Sequence, residues 1–142
     1  MPATTKDLIR LFDLDEVGDG VFRGPHPDTR WQRLFGGQVL AQTLCAAMLT
    51  VPVGRQVHSL HAYFLRPGSR EESLRFEVET MRDGRAFSAR RVVTRQHDRV
   101  IFQPNVSFQQ PEDGLSHSAT LPQDIMPVEN APSLQEVLER RF

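Results

Sequence analysis

The sequence is poor in cysteine. Cys45 is the one cysteine among 142 residues, so the chain cannot form an internal disulfide. Disulfides persist in oxidising compartments, and a chain without them is most simply placed in a reducing, cytoplasmic one. Cys45 lies inside an apolar stretch, where a small core residue is a commoner role than a nucleophile.

The chain also lacks an excess of charge of either sign. Its 17 basic and 18 acidic residues give a formal net charge of −1. Domains that bind nucleic acid usually carry a strong basic excess. Nucleic acid is therefore not expected as the main partner.

Long apolar runs are missing as well. The uncharged residues 34–53 are interrupted by Gly36, Gly37, Gln42 and Pro52, whereas a membrane-spanning helix needs about 20 mostly apolar residues. The segment MPATTKDLIRLFDLDE carries acidic residues and lacks the apolar centre of a signal peptide. We expect neither a membrane partner nor export.

The chain is organised around the uncharged stretch Leu34–Val51. Its apolar side chains fall on every face of a helix with 3.6 residues per turn. An amphipathic surface helix would keep a charged face, so this helix is expected to be enclosed on nearly all sides. A curved sheet could enclose it, with Pro52 and Gly54 ending the helix.

The flanking segments supply strands for such a sheet. Apolar residues alternate with charged ones from Leu74 to Glu79, as in a half-exposed strand. Asp83-Gly84 predicts a two-residue hairpin turn that needs positive φ. Pro104 cannot donate to a strand ladder and predicts a bulge or an unpaired edge. The other predicted strands are Val21–Arg23, Gln56–Arg66, Ala86–Gln96 and Arg99–Gln109.

Two further local features are predicted near the N-terminus. Thr5 can cap a short helix from Lys6 to Phe12. Trp31 and Phe35 are expected to pack the loop that begins at Pro25 against the start of the long helix.

Strand Gln56–Arg66 differs from the others because both of its faces are mostly apolar. This pattern predicts burial on both sides, or one side facing the helix and the other a partner. As an open edge it would be an aggregation hazard. We therefore expect this strand to form a seam with a second domain of the same kind.

The composition changes after residue 110. Residues 111–132 contain four prolines and no periodic pattern, which is typical of a linker. Ser133 and Glu136 then stand in the spacing of a capping box, which predicts the start of a helix. We interpret residues 1–110 as one domain and residues 111–142 as a linker leading to a missing second repeat.

Four segments resemble the first repeat of acyl-CoA thioesterase II: LFGGQVLAQTL (34–44), VHSLHAYFLRPG (57–68), MRDGRAFSARRV (81–92) and IFQPNVSFQ (101–109). The resemblance implies an α+β hotdog fold, an antiparallel sheet wrapped around one long helix. It also implies two such repeats in the whole protein. In that family an aspartate, a threonine or serine, and a glutamine of the second repeat are credited with activating water. No part of this chain matches that repeat.

The start of the long helix is the candidate substrate site. Helix N-termini present unpaired backbone N–H groups, which can stabilise a developing oxyanion. Gly36, Gly37 and Gln38 could therefore hold the carbonyl of a thioester. The alternative is that these residues only allow the helix to pack tightly against a strand.

His58 is the best local candidate for a catalytic base, because histidine is the side chain that ordinarily transfers protons near neutral pH. A hydrogen-bonded structural histidine is the alternative. Arg66 could bind the phosphates of coenzyme A together with Arg82, Arg85, Arg90 and Arg91. A solvated strand face balanced by glutamates is the favoured explanation for most of these arginines.

Three functions are compared. The leading hypothesis is an acyl-CoA thioesterase of fatty acid metabolism, which needs no metal or redox cofactor and of which this chain is the N-terminal half. The second is a non-catalytic hotdog binding or assembly module that needs the second repeat for activity. The third, a hotdog hydratase, would require an Asp/His pair at the start of the helix, where none is evident.

Overall fold

The structure is a computed structural model that describes residues 4–25 and 32–141. The chain divides into two compact units, Met1–Glu112 and Asp113–Phe142. The helices and strands, in chain order, are α1 (Thr5–Arg10), β1 (Asp15–Gly18), β2 (Val21–Gly24), α2 (Gly36–Met48), β3 (Gln56–Phe64), β4 (Leu74–Asp83), β5 (Phe87–Gln96), β6 (Arg99–Gln109) and α3 (Leu134–Arg141), with a 3-10 turn at Val128–Asn130. Within the described ranges, no helix is both long and apolar enough to cross a bilayer.

All six strands form one antiparallel sheet in the order β1-β2-β4-β5-β6-β3. Strand β4 shows the predicted alternation, since Leu74 and Phe76 are buried whereas Arg75 is exposed. The sheet ends on β1 at one side and on β3 at the other.

Helix α2 packs across β4, β5 and β6. Its buried apolar residues join those of the sheet in one core, formed by Phe22, Val39, Ala46, Ala47, Leu74, Phe76, Val92, Ile101, Phe102, Val106 and Phe108. The prediction of an enclosed helix holds for most of α2, whose residues are buried or half-buried except Gly37 and Met48. Exposure increases at the end of the helix, where Met48 is 48% exposed and Leu49, the C-cap, is 60% exposed.

A buried amide ties α2 to the N-terminal segment. The Nε2 of Gln42 donates to the backbone oxygens of Leu11 and Pro25, both at 2.7 Å. Gly24 lies beside this amide, and a Cβ at Gly24 would come within 2.9 Å of Gln42 Nε2. The absence of a side chain at Gly24 therefore lets strand β2 approach the helix.

A buried guanidinium joins the end of α2 to the hairpin of β4 and β5. Arg90 Nη1 and Nη2 donate to the carboxylate of Asp83 at 2.9 and 3.0 Å. Its Nε donates to Thr50 Oγ1 at 2.9 Å, and Nη2 also donates to the backbone oxygen of Thr50 at 2.8 Å. We call these contacts of Arg90, Asp83 and Thr50 the Arg90 clamp.

Two predictions near the N-terminus need correction. The cap of α1 is Thr4 rather than Thr5, because Thr4 and Asp7 form a reciprocal capping box. The strand predicted at Val21–Arg23 is not the first strand of the chain. It is preceded by β1 (Asp15–Gly18), which pairs with it across a turn at Gly20, where φ is +64°. Trp31 lies outside the described residues, and Phe35 is 65% exposed.

The prediction of a two-residue turn with positive φ at Asp83-Gly84 is wrong. Strand pairing ends at Asp83 and Ser88, and the N–H of Gly84 donates to the oxygen of Phe87 at 2.8 Å, which makes a longer loop. Among the described glycines, positive φ occurs at Gly20 and Gly54. Arg55 Nη2 donates to the oxygen of Gly84 at 2.6 Å, so a tertiary contact holds this loop and overrides the local turn preference.

Pro104 lies in a strand with neighbours on both sides. The pairing of β6 with β3 runs through Ala62 and Pro104 in unbroken register, so a bulge at Pro104 is wrong. The pairing of β6 with β5 passes from Asn105 to Phe102 without a register shift, which leaves a local gap at the proline. Proline has no N–H to donate, and the gap follows from that, so the predicted alternative, a local loss of pairing, is confirmed on the side of β5.

Strand β3 is an exposed edge, so burial on both sides is wrong within this chain. Only Leu60 and Ala62 are half-buried, and the other residues of β3 are exposed.

In the second unit, the predicted capping box is confirmed. Ser133 N–H donates to Glu136 at 2.7 Å, and Glu136 N–H donates to Ser133 Oγ at 3.3 Å.

Candidate active site

A cleft of about 350 Å³ opens at the start of α2. Three segments that are distant in sequence form it: the residues entering α2, the end of β3 with the loop that follows, and the beginning of β6. The lining residues are Arg33, Leu34, Gly36, Val39, Phe64, Leu65, Arg66, Pro67, Gly68, Ile101 and Phe102. The lining is mostly apolar with two cationic side chains, which suits a ligand with an apolar part and an anionic part.

Gly36 contributes to this cleft in two ways. A Cβ at Gly36 would lie 3.2 Å from the ring of Phe64, so the bare backbone lets the helix start close to the end of β3. The first four N–H groups of a helix have no partner within it, and those of Gln38 and Val39 turn back to the oxygen of Phe35. The tight-packing interpretation therefore holds for Gly36, and its role in binding a carbonyl stays a prediction.

Gly37 and Gln38 lie beside this cleft without lining it. The ring of Phe35 covers Gly37, where a Cβ would come 2.5 Å from Phe35 Cε1. The side chain of Gln38 donates to Gln42 Oε1 at 3.3 Å. Their predicted roles in substrate binding remain predictions.

Arg66 lines the cleft together with Gly36, so the structure brings these two predicted residues together. Its Nη1 donates to the backbone oxygen of Val100 at 2.8 Å, and the residue is exposed. Two of the other arginines make contacts away from the cleft. Arg90 is buried in the Arg90 clamp, and Arg91 pairs with Glu79 at 2.7 Å. Arg90 and Arg91 therefore have structural partners, in line with the explanation favoured for most of these arginines.

His58 lies at the opposite end of β3 from the cleft. Its Nε2 is 2.9 Å from Ser107 Oγ, and its ring meets that of Phe87 edge-on at 5.8 Å. The cleft is reached at Phe64, six residues further along β3, which is about 20 Å at the usual rise of a strand. The structure does not bring His58 and Gly36 together, and its role as a base stays a prediction.

The described residues that line the cleft include no aspartate, glutamate or histidine. Cys45 is half-buried on α2, and burial raises the pKa of its thiol, which disfavours the reactive thiolate. This supports a structural role for Cys45. Among the described residues, the lining of the cleft therefore offers no side chain that could serve as a general base.

Sequence reasoning missed the loop after β3. Gly68 was given no role at the site, yet its oxygen accepts from Leu34 N–H at 3.0 Å and closes one side of the cleft. The contact between Leu34 and Gly68 could not be predicted from the spacing of residues, because the two are far apart in the chain.

The family model described as "Acyl-CoA thioesterase N-terminal domain" matches residues 25–109. Acyl-CoA thioesterase 2 of Haemophilus influenzae is 40% identical over 146 residues, covering 96% of this chain and 51% of that protein. Acyl-coenzyme A thioesterase 8 of Homo sapiens is 38% identical over 113 residues, covering 79% of this chain and 35% of that protein. The chain spans about half the length of the first of these relatives and about a third of the second.

Solved structures agree on the fold. An acyl-CoA thioesterase II from Mycobacterium marinum superposes with a TM-score of 0.76 at 40% identity, over 91% of this chain and 47% of that one. A protein with a hot dog fold from Alicyclobacillus acidocaldarius also gives a TM-score of 0.76, at 22% identity, over 91% of this chain and 49% of that one. The predicted α+β hotdog fold is confirmed.

Proposed function

We propose that this chain, which belongs to the acyl-CoA thioesterase family as its N-terminal domain, is half of an enzyme that hydrolyses acyl-CoA to free fatty acid and coenzyme A. The cleft at the start of α2 carries this proposal. There an apolar lining, the N-terminal backbone of a helix at Gly36, and the cationic side chain of Arg66 meet.

In the proposed reaction a water adds to the thioester carbonyl, the C–S bond breaks, and the thiol of coenzyme A leaves with the proton. The N–H of Gly36, together with the positive end of the α2 dipole, would stabilise the charge that develops on the carbonyl oxygen. The apolar lining would hold the acyl chain next to the carbonyl. Arg66 and Arg33 would face the phosphates of coenzyme A.

The base that activates the water would come from a second hotdog domain, because the lining of the cleft supplies none. That domain is either the missing half or another copy of this chain. Its place is along β3, where an exposed strand edge carries Tyr63 at 62% and Phe64 at 59% exposure. Phe64 also lines the cleft, so a partner on this edge would stand next to the substrate.

The proposed setting is a dimeric assembly acting on lipid metabolites in the cytoplasm. The single, half-buried Cys45 supports a reducing compartment. The alternative function is a non-catalytic binding or assembly module. The separation of His58 from the cleft favours that alternative for the chain on its own.

The test is thiol release from acyl-CoA substrates by this chain alone and by this chain fused to the C-terminal half of the Haemophilus influenzae relative. We expect low turnover alone and substantial turnover in the fusion. In the fusion, Arg66→Met should raise KM about tenfold, because a charge-assisted contact to the substrate is lost. Arg99→Met, at an exposed residue that does not line the cleft, is the matched control.

A fusion that folds but releases no thiol would overturn the proposed activity. His58→Ala is assayed in both proteins. Loss of turnover in that variant would restore His58 as the base, and unchanged turnover would leave the base to the second domain.

A further inference from the structure

We infer that Gln96 is a positioning residue for the cleft and that it sets the shape of the cleft wall without touching the substrate. The inference rests on the proposed function for its catalytic consequence. Gln96 is the last residue of β5, is 6% exposed, and does not line the cleft.

The side-chain amide of Gln96 makes three hydrogen bonds to the loop between β3 and β4. Its Nε2 donates to the backbone oxygens of Ser69 and Glu72 at 2.7 and 2.8 Å. Its Oε1 accepts from the N–H of Ser69 at 2.7 Å. The amide thus pairs with the loop as a neighbouring strand would, with both of its donors and its acceptor oxygen in use.

This loop forms one wall of the cleft. Gly68 directly precedes Ser69, and its oxygen holds the N–H of Leu34 at 3.0 Å. A Cβ at Gly68 would lie 3.1 Å from Leu34 Cδ1, 3.3 Å from Ile101 Cδ1 and 3.4 Å from Gln96 Oε1. The loop is therefore packed between Gln96 on one side and the residues entering α2 on the other.

The position of the helix start depends on this chain of contacts. The hydrogen bond from Ser69 N–H to Gln96 holds Ser69 and its neighbour Gly68 in place. The oxygen of Gly68 in turn accepts from Leu34 N–H, two residues before Gly36. Losing the amide would free the loop and shift Leu34 relative to Arg66.

The variant is Gln96→Met, which keeps the length of the side chain and removes all three hydrogen bonds. Gln103→Met is the matched control, because Gln103 is half-buried and alternates with the buried Phe102 and Pro104, which places it on the sheet face away from α2. The first measurement is hydrogen exchange at the backbone N–H of Leu34. Leu34 has no hydrogen bond to Gln96, so its exchange reports transmission through the loop.

We expect exchange at Leu34 to accelerate about tenfold in Gln96→Met and to stay unchanged in Gln103→Met. Exchange at Val92, in the core of the sheet, should stay unchanged in both. Faster exchange at Ser69 with unchanged exchange at Leu34 would overturn the inference. Equal acceleration at Val92 would also overturn it, because that result means general destabilisation.

The second measurement is steady-state hydrolysis of acyl-CoA by the fusion described above. Gln96→Met should raise KM about tenfold with kcat within about twofold, since the wall that holds the substrate is loosened. If Gln96→Met does not fold, Gln96→Glu replaces it, because a carboxylate keeps the acceptor for Ser69 and loses both donors. Absent turnover in the unsubstituted fusion would refute the proposed function, while exchange at Leu34 would still decide the role of Gln96.

Discussion

The Arg90 clamp is a charged contact inside the core. The side chain of Arg90 is 1% exposed, and a charge so buried is tolerated only with partners for its donors. Asp83 supplies the countercharge from a position that is 40% exposed. The hydrogen bond from Arg90 holds the pKa of the Asp83 carboxyl below its usual range. The carboxylate therefore stabilises the fold wherever it is ionised.

Asp83→Asn should lower the free energy of unfolding at neutral pH by about 1 kcal/mol, at the low end for a charged contact because solvent screens Asp83. A carboxyl with a lowered folded pKa contributes fully above its unfolded pKa of about 3.9 and loses that contribution as pH falls through the folded pKa. The difference between the two proteins should therefore shrink below about pH 4. Urea unfolding across pH measures it.

Asp15→Asn is the control for this experiment, because Asp15 is an exposed carboxylate on β1 outside the Arg90 clamp. Its effect should stay within about 0.5 kcal/mol at every pH. A penalty for Asp83→Asn that persists undiminished to about pH 2 would contradict the assigned pairing.

Residue roles were predictable where one segment determines them. Gly36 was identified from the Gly-Gly start of an apolar helix, and it lines the cleft. Gln96 and Arg90 could not be assigned in this way, because their partners Ser69 and Thr50 lie 27 and 40 residues away in the chain. Hydrogen bonds across such separations leave no periodic signal in a single sequence.

The segment between α2 and β3 is set by backbone conformation. Helix α2 ends at Met48, and Gly54 adopts φ +89° two residues before Gln56 begins β3. Positive φ is costly for residues with a Cβ, which explains glycine at this position. The sequence placed the end of the helix correctly in this region, because Pro52 and Gly54 are both helix breakers.

Gly54→Ala should destabilise the protein by about 1 kcal/mol, and Gly114→Ala should change its stability by less than about 0.5 kcal/mol. A Cβ at either glycine would meet nothing within 4 Å, so backbone conformation is the difference between the two positions. Thermal unfolding of both variants measures it. Equal effects would contradict the strain assigned to Gly54.

Elements with a strong pattern were predicted well. Strand β6 has its predicted bounds, Arg99–Gln109, and β4 shows its alternation. Strand β1 was missed because Asp15 and Glu16 are acidic and no apolar alternation marks the segment. The hairpin after Asp83 was mispredicted because Arg55, from another part of the chain, fixes the loop carbonyls.

At the scale of the whole molecule, the exposed edge of β3 and the end of α2 leave apolar side chains in contact with solvent. Val57, Phe64 and Leu65 are each at least 36% exposed, as are Met48, the last residue of α2, and Leu49, which follows it. Sequence reasoning identified these apolar segments, and for β3 it left two possibilities, burial within the chain or a seam with a second domain, of which the seam was expected. A single sequence does not say whether a second polypeptide covers an apolar face.

We expect the chain to form a dimer through β3. Ser59→Lys should weaken that dimer about tenfold or more, because like charges would meet near the middle of paired strands. Ser59→Thr, which keeps the strand preference and adds no charge, is the control and should leave dimerisation intact. Sedimentation velocity over a range of concentrations measures this, and an unsubstituted chain that stays monomeric throughout would contradict the seam.

The two borders of the sheet are unlike each other. One is β1, four residues long with Asp15 and Glu16 and a register shift after Glu16. The other is β3, nine residues long and largely free of charge. Short, acidic, irregular borders repel added strands, whereas long neutral ones accept them. A further strand can therefore be added to the sheet at β3 but not at β1. Two copies joined through β3 leave no edge that accepts another strand, so assembly stops at a dimer instead of extending into a fibre.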